Sequence, residues 1–232
     1  MSPLDAGRRA SASHRLVGPA PTAVDRVTDA LRAEILSGAL ASDEPLREEA
    51  ASERYGVSRH TVRAAFQRLV AERLAVAAPY RGVRVASFDR ATIIALQQLR
   101  AALEVEAVRI TGERYGSTWP ESVVAPARDA LERMAALGGE PDVDWLEAER
   151  IHAEFHGALV AASASPRIVE AHAALGSELL LFLLHVRPHY TLDRLVDEHR
   201  ALLAEVQTRG PEAIREHLEH STALLLGRAR ST

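Results

Sequence analysis

From Asp89 to the C-terminus, apolar residues recur at helical spacing in segment after segment, interrupted only where Gly, Pro and capping residues gather. The breaks fall at "YGSTWPES", "GGEPD", "SASP", "RPHYT" and "RGP". They predict helices over Asp89–Tyr115, Glu121–Leu137, Val143–Ser163, Pro166–Val186, Leu192–Arg209 and from Pro211 to about Arg228. Nothing in this stretch alternates with the period of a strand, so it can bury its apolar faces only as a bundle of six to seven helices. Its longest apolar run, "LLLFLLHV" from Leu179 to Val186, is far short of the roughly 18 residues of a membrane span.

The first part of the chain is punctuated differently. Thr22 can cap a helix that places Val24, Val27, Leu31 and Ile35 on one face, and Gly38 stops it. "ALASDEPL" reads as a loop. Arg47–Tyr55 forms a short second helix, with Gly56 placed for the left-handed conformation at its end. Ser58 caps a third helix running to about Glu72. Leu74–Ala77 and Gly82–Ala86, joined by "APYR", then read as a two-stranded hairpin. The expected fold class is mostly α: a winged helix-turn-helix followed by an all-α bundle. The expected boundaries are 1–20 for a flexible arm, 21–87 for the first domain and 88–232 for the second. The arm, "MSPLDAGRRASASHRLVGPA", has no apolar core of the kind a signal peptide needs. The absence of cysteine excludes disulfides and thiolate chemistry and suits the cytoplasm.

Charge separates the two parts. Met1–Val85 carries 13 arginines against 10 acidic residues, and the remainder 15 against 22. Ser52–Arg84 alone holds seven arginines and two acids, a patch suited to phosphates. Within it, "GVSRHTVRAAFQRL" sets Val62, Ala65, Phe66 and Leu69 at core spacing and leaves Arg59, His60, Thr61, Arg63, Gln67 and Arg68 on other faces. A helix, a Gly-containing turn and a capped helix with polar residues in its first two turns make a helix-turn-helix. Such a helix start suits the DNA major groove, where Arg pairs with guanine and hydroxyls grip phosphates. Arg81, at the tip of the hairpin, can reach the backbone or the minor groove.

"LREEAASERYGVSRHTVRAAFQRLVAERLAVAAPYRGVRV" resembles the winged helix-turn-helix of the GntR family of bacterial regulators over about residues 24 to 86. The resemblance implies operator contacts at Ser58, Arg59, His60, Thr61 and Arg63, with Gly82 at the wing. The sequence departs from the family pattern at Ala51 and Ser52, where Leu-Ala is usual, and at Phe66, where Leu is usual. Glu49 stands where some members place a DNA-contacting Arg, and His60 where Thr or Pro is common.

Ten histidines are many for this length. His152 and His156, four apart on one predicted helix, project from one face and can share a metal ion. His199 lies on the fifth helix of the second domain, and His217 and His220 on the sixth; a bundle can bring these rings to the first pair. The second domain resembles the all-helical FCD-type ligand-binding domain of the FadR-like GntR branch, through "RAALE" (Arg100–Glu104), "HAEFH" (His152–His156) and "DEHRALL". That resemblance implies one Asp and three His around a divalent ion beneath a pocket for a small organic acid. Here the Asp position is His152, which gives an all-nitrogen set suited to zinc or nickel rather than manganese. Ungapped counting puts Ser221 at the usual last His. His217, one turn earlier within "EHL", is the favoured fourth ligand and His220 the alternative.

Arg100 has two readings, as a clamp on an effector carboxylate or as the partner of a nearby acid. His185, His189 and Tyr190 can line a pocket mouth. The expected function is a dimeric, cytoplasmic regulator, a repressor, that binds double-stranded operator DNA and a carboxylic-acid effector. Two other readings stay open: a metal-free effector pocket, and a His-cluster metalloenzyme. The latter lacks a general base beside the histidines, because Glu154 projects from the opposite side of the helix.

Overall fold

The computed structural model describes residues 20–87, 89–139, 143–186 and 191–227, with 182–186 and 225 as backbone only. Nearly all of the expected arm, the side chains of His185, His189 and Tyr190, and the expected helix end at Arg228 lie outside the described residues.

Helix α1 (Ala23–Leu36) starts at Thr22, whose hydroxyl accepts from the Asp25 N–H while the Asp25 carboxylate accepts from the Thr22 N–H. Helix α2 (Glu48–Tyr55) ends on Gly56 at φ 63°, a left-handed turn that glycine adopts without a Cβ clash. Helix α3 (Arg59–Ala71) follows, capped by the Ser58 hydroxyl on the Thr61 N–H. Its stripe of Val62, Ala65, Phe66 and Leu69 is buried against Val27, Leu31 and Ile35 of α1.

The sheet has three antiparallel strands, β1 (Pro45–Leu46), β2 (Ala75–Ala78) and β3 (Gly82–Val85), in the order β1-β3-β2. The strands of the expected hairpin are present and pair Val76 with Arg84 and Ala78 with Gly82. The expected loop "ALASDEPL", however, contains β1, whose Pro45 lies opposite Arg84. Two residues are too few to show an alternating pattern, and proline is tolerated on an edge strand because one of its sides needs no N–H donor.

The helical part comprises α4 (Arg90–Tyr115), α5 (Glu121–Ala136), α6 (Trp145–Ala161), α7 (Pro166–Ala173), α8 (Gly176–Val186), α9 (Leu192–Thr208) and α10 (Pro211–Leu225). The single helix expected over Pro166–Val186 is divided at Ala174 and Leu175. Apolar residues continue through the break, so periodicity does not mark it, yet the two sides serve different cores. Leu175 and Leu179 pack with Ile93 and Leu96 of α4, whereas Leu181 is buried among the winged-helix residues. The main helical core is formed by Phe155 and Leu159 of α6, Leu131 and Met134 of α5, and Leu202, Val206 and Ile214 of α9 and α10. No helix among the described residues is long and apolar enough to cross a membrane.

Candidate metal centre and nucleic-acid interface

Helix α6 sets His152 and His156 one turn apart on its buried face, and α9 brings His199 to them from across the bundle. The three rings are at most 4% exposed, and each offers a nitrogen within 4.8 Å of the others. His152 Nε2 lies 2.7 Å from His199 Nε2, and His156 Nε2 lies 3.3 Å from the same atom.

Partners on the far side of two rings fix their tautomers. His199 Nδ1 is 2.6 Å from the Leu195 carbonyl oxygen, which can only accept, so Nδ1 carries the proton and Nε2 a lone pair. His156 Nδ1 lies 2.8 Å from Glu104 Oε2 and donates to it in the same way. Two lone pairs thus face one another, in the carboxylate–His and carbonyl–His arrangements that orient metal ligands. Their 3.3 Å separation matches the edge of a tetrahedron built on bonds of about 2.0–2.1 Å to a metal. His152 differs, because its Nδ1 is buried without a hydrogen-bond partner. The donor set fits a divalent cation, and His152 is its least supported member.

Glu104, wholly buried on α4, organises the layer behind these rings. Arg100 Nε donates to its Oε1 at 2.6 Å, His172 Nε2 to the same oxygen at 3.0 Å, and His156 to Oε2. Burial opposes ionisation of this carboxyl, but Arg100 and His156 outweigh it and hold Glu104 well below the usual carboxylate range. The histidines move down for the complementary reason. Burial, then the charge of Arg100, pushes His156 to about 4. Burial and His156 push His199 to about 3, and burial also carries His152 and His217 well below the ordinary value. Near neutral pH the centre holds neutral imidazoles beside one carboxylate.

The remaining histidines are placed unequally. The His217 ring lies 4.6 Å from that of His199 and 5.5 Å from that of His156, outside the three-residue group but in contact with it. His220 is exposed, and the two line a surface depression of about 330 Å³ between α9 and α10. Ser221 is drawn into helix packing, where its hydroxyl accepts from Gln97 Nε2 at 3.0 Å and donates to the Leu218 carbonyl. Arg100 is 3% exposed and, among the described contacts, uses its Nε on Glu104, the second of its two expected roles. His172 was not singled out from the sequence. Its usable signal was the buried Glu104, which an i, i+4 pairing with Arg100 anticipates.

On the winged-helix side, Arg59, His60 and Arg63 are exposed on the first two turns of α3. Ser58 and Thr61 share a 2.9 Å hydroxyl contact besides the cap, which occupies both locally. Arg59 is paired with Glu49 of α2, and Arg63 makes a bidentate pair with Glu48 at 2.9 and 2.7 Å. The wing turns at Tyr80 (φ 62°) and Gly82 (φ 73°), with Arg81 between them; all three are exposed. A left-handed tyrosine at a fully exposed tip is a feature that sequence reading did not anticipate.

Comparison with known proteins agrees with both halves. Residues 23–85 match the family described as bacterial regulatory proteins, gntR family, and residues 95–223 match the FCD domain. The HTH-type transcriptional repressor GlaR of Escherichia coli (strain K12) is 29% identical over 81% of this chain and 89% of its own length. The uncharacterized HTH-type transcriptional regulator BphR of Paraburkholderia xenovorans (strain LB400) is 30% identical over 84% and 82%. The crystal structure of a putative GntR transcriptional regulator from Rhodococcus sp. RHA1 superposes with a TM-score of 0.67 at 28% identity, covering 89% of this chain and 99% of that one. These families and relatives are transcriptional regulators rather than enzymes. With the winged-helix part matched by one family and the helical part by the other, the chain belongs to the gntR family of bacterial regulatory proteins and carries an FCD domain.

Proposed function

We propose that this chain is a cytoplasmic, homodimeric transcriptional repressor whose operator affinity is set by a small carboxylic acid bound beside a divalent metal. Residues 21–87 read the operator, and 88–232 bind effector and dimerise. GlaR, a repressor by name, supports repression as the direction of control. The observation that carries the sensing half is the convergence of the His156 and His199 lone pairs at 3.3 Å, with both Nδ1 protons committed elsewhere. His152, His156 and His199 would hold the metal, with His217 in reach as a fourth ligand and His220 too exposed to be preferred. An all-imidazole set favours zinc or nickel over manganese. When bound, the ion supplies a Lewis-acidic position for an effector carboxylate.

The chain's own residues do the rest. Glu104 fixes the His156 tautomer, His172 and Arg100 hold Glu104 ionised, and the surrounding apolar helices exclude water. On the DNA side, Arg59, His60 and Arg63 face the major groove, Ser58 and Thr61 meet the backbone at the helix start, and Arg81 and Gly82 present the wing. Two half-sites about one helical turn apart require two copies of α3, hence a dimer. An effector that binds one separation of the winged domains better than another shifts that population and changes operator affinity by the same free energy.

One observation favours a metal-free pocket as a second reading. The 2.7 Å contact between His152 and His199 is a satisfactory imidazole hydrogen bond without an ion, and Arg100 is already engaged. Metal analysis of the purified protein and of His156→Ala separates the two, since equal metal content rules out the centre. Anisotropy titration against the DNA upstream of the chain's own gene tests the regulator itself. Binding there is expected to be salt-sensitive and sequence-selective, and its absence contradicts the proposal.

A further inference from the structure

Between the wing and α2 lies a pocket of about 480 Å³, floored by Phe66 and walled by Arg47, Glu48, Arg81 and Arg84. It exists because β1 is paired: with Leu46 opposite Val83, the next residue, Arg47, is carried toward Gly82 and Arg81 at the foot of the wing. The acids around it are already matched. Glu48 is held bidentately by Arg63, and Arg84 holds Asp43 at 2.7 and 3.1 Å. Arg81 stands close enough to add to the lowering of the Asp43 carboxyl, behind the larger effect of Arg84. Arg47 and Arg81, both exposed, make no side-chain hydrogen bond or ion pair among the described residues. The pocket therefore holds two unmatched guanidinium groups over an apolar floor.

Its position gives those charges a use. If α3 lies in the major groove and the wing tip reaches the neighbouring minor groove, the sugar–phosphate strand dividing the grooves must cross the ground between them, and that ground is this pocket. We infer that the pocket seats a backbone phosphate of the bound duplex, with Arg47 and Arg81 as its cationic walls. The inference rests on the reading of α3 as the DNA-reading helix. It adds Arg47, which stands outside that helix and outside the wing. A phosphate contact fixes register and strengthens binding on any sequence without discriminating between bases.

The test is anisotropy titration of the full-length protein, Arg47→Ala, Arg47→Lys and Arg59→Ala on the upstream duplex and a scrambled duplex. Each neutralised phosphate contributes about 0.9 to the slope of log affinity against log salt, so Arg47→Ala is expected to lower that slope by about one. Its deficit then narrows about threefold between roughly 50 and 200 mM salt, and is the same on both duplexes. Arg47→Lys keeps the slope, whereas Arg59→Ala alters the preference between duplexes. An unchanged slope in Arg47→Ala, or a deficit confined to the upstream duplex, overturns the inference. Inorganic phosphate at constant ionic strength serves as a control. Competition by it that disappears in Arg47→Ala supports the inference, because an anion and a backbone phosphate that exclude one another share one seat. Wild-type protein that binds neither duplex overturns the DNA reading beneath it, a result distinct from wild-type binding with an unaltered Arg47→Ala slope.

Discussion

His156 and His199 hold their Nε2 atoms 3.3 Å apart while each donates its Nδ1–H elsewhere, one to Glu104 and the other to the Leu195 carbonyl. The pair sets acceptor against acceptor, and in the metal-bound reading a divalent cation satisfies both. Adding zinc to chelator-treated protein is therefore expected to raise Tm, with about 2.7 kcal/mol gained at a hundredfold excess over Kd. Glu104→Gln keeps the shape of the carboxylate and removes its charge, and is expected to weaken metal binding about 10- to 100-fold. A competition titration giving Glu104→Gln the wild-type affinity would show that Glu104 supports the fold and not the metal.

The same burial makes the metal-free protein sensitive to acid. His156 and His199, ordinarily near 6.5, fall to about 4 and about 3, and His152 and His217 move in the same direction. Below about pH 6.5 the unfolded chain takes up protons that the native state refuses. Stability is thus intact above that pH and is lost as pH falls toward the folded values, by about 1.4 kcal/mol per pH unit for each such histidine. Glu104 adds its own loss below about pH 4.5, because its folded value is depressed. Urea melts in chelator at about pH 7.5 and pH 5 measure this. Equal stabilities at the two pH values would contradict the buried, neutral state of the rings.

Legibility in the sequence followed the length scale of each signal. Helices long enough to repeat an apolar stripe, such as α1 with Val27, Leu31 and Ile35, were readable, as were caps with a defined chemistry at Thr22, Ser58 and Gly56. The strand β1 was not, because two residues carry no period, nor was the α7–α8 break, where apolar character runs on while the packing partner changes. At the histidine centre, spacing on α6 put His152 and His156 together, but only tertiary packing brings Glu104 of α4 and His172 of α7 behind them. The pairs Arg59–Glu49 and Arg63–Glu48 were invisible for the same reason, since helix crossing geometry is not written in either helix alone.

Glu49 sets an acid against Arg59 on the face where DNA is expected, and both side chains are well exposed. An exposed pair of this kind contributes little to stability, so its effect is on binding. Glu49→Ala frees Arg59 and removes a repulsion toward phosphates. Affinity for any duplex is expected to rise severalfold while the preference for the operator narrows. Arg59→Ala should weaken operator binding by about 1–3 kcal/mol if Arg59 pairs with guanine. His60→Thr is expected to change the preferred sequence more than the affinity. Selection of bound sequences from a random pool reads all three variants, and an identical preferred sequence for His60→Thr and wild type removes His60 from base reading.

Leu181 belongs to α8 of the helical part, yet it is buried in the winged-helix core beside residues of α1. Around it, the Ser177 hydroxyl contacts Glu72 at 3.4 Å, and Arg73 faces the largely buried Glu178 at 3.7 Å. Leu146, in the first turn of α6, packs against the same core, and six residues on, about 9 Å along the helix axis, α6 carries His152. The histidine centre and the DNA-reading part therefore share one rigid helix, so a shift of α6 at the centre is felt where Leu146 and Leu181 are seated. Leu181→Ala leaves every centre residue in place and is expected to cost about 2–5 kcal/mol, as for other buried leucines. It should lower the response of operator affinity to a carboxylic acid selected by thermal shift while leaving metal content at the wild-type level. A Leu181→Ala protein that remains folded at the assay temperature and keeps the full response shows that the signal crosses by another route.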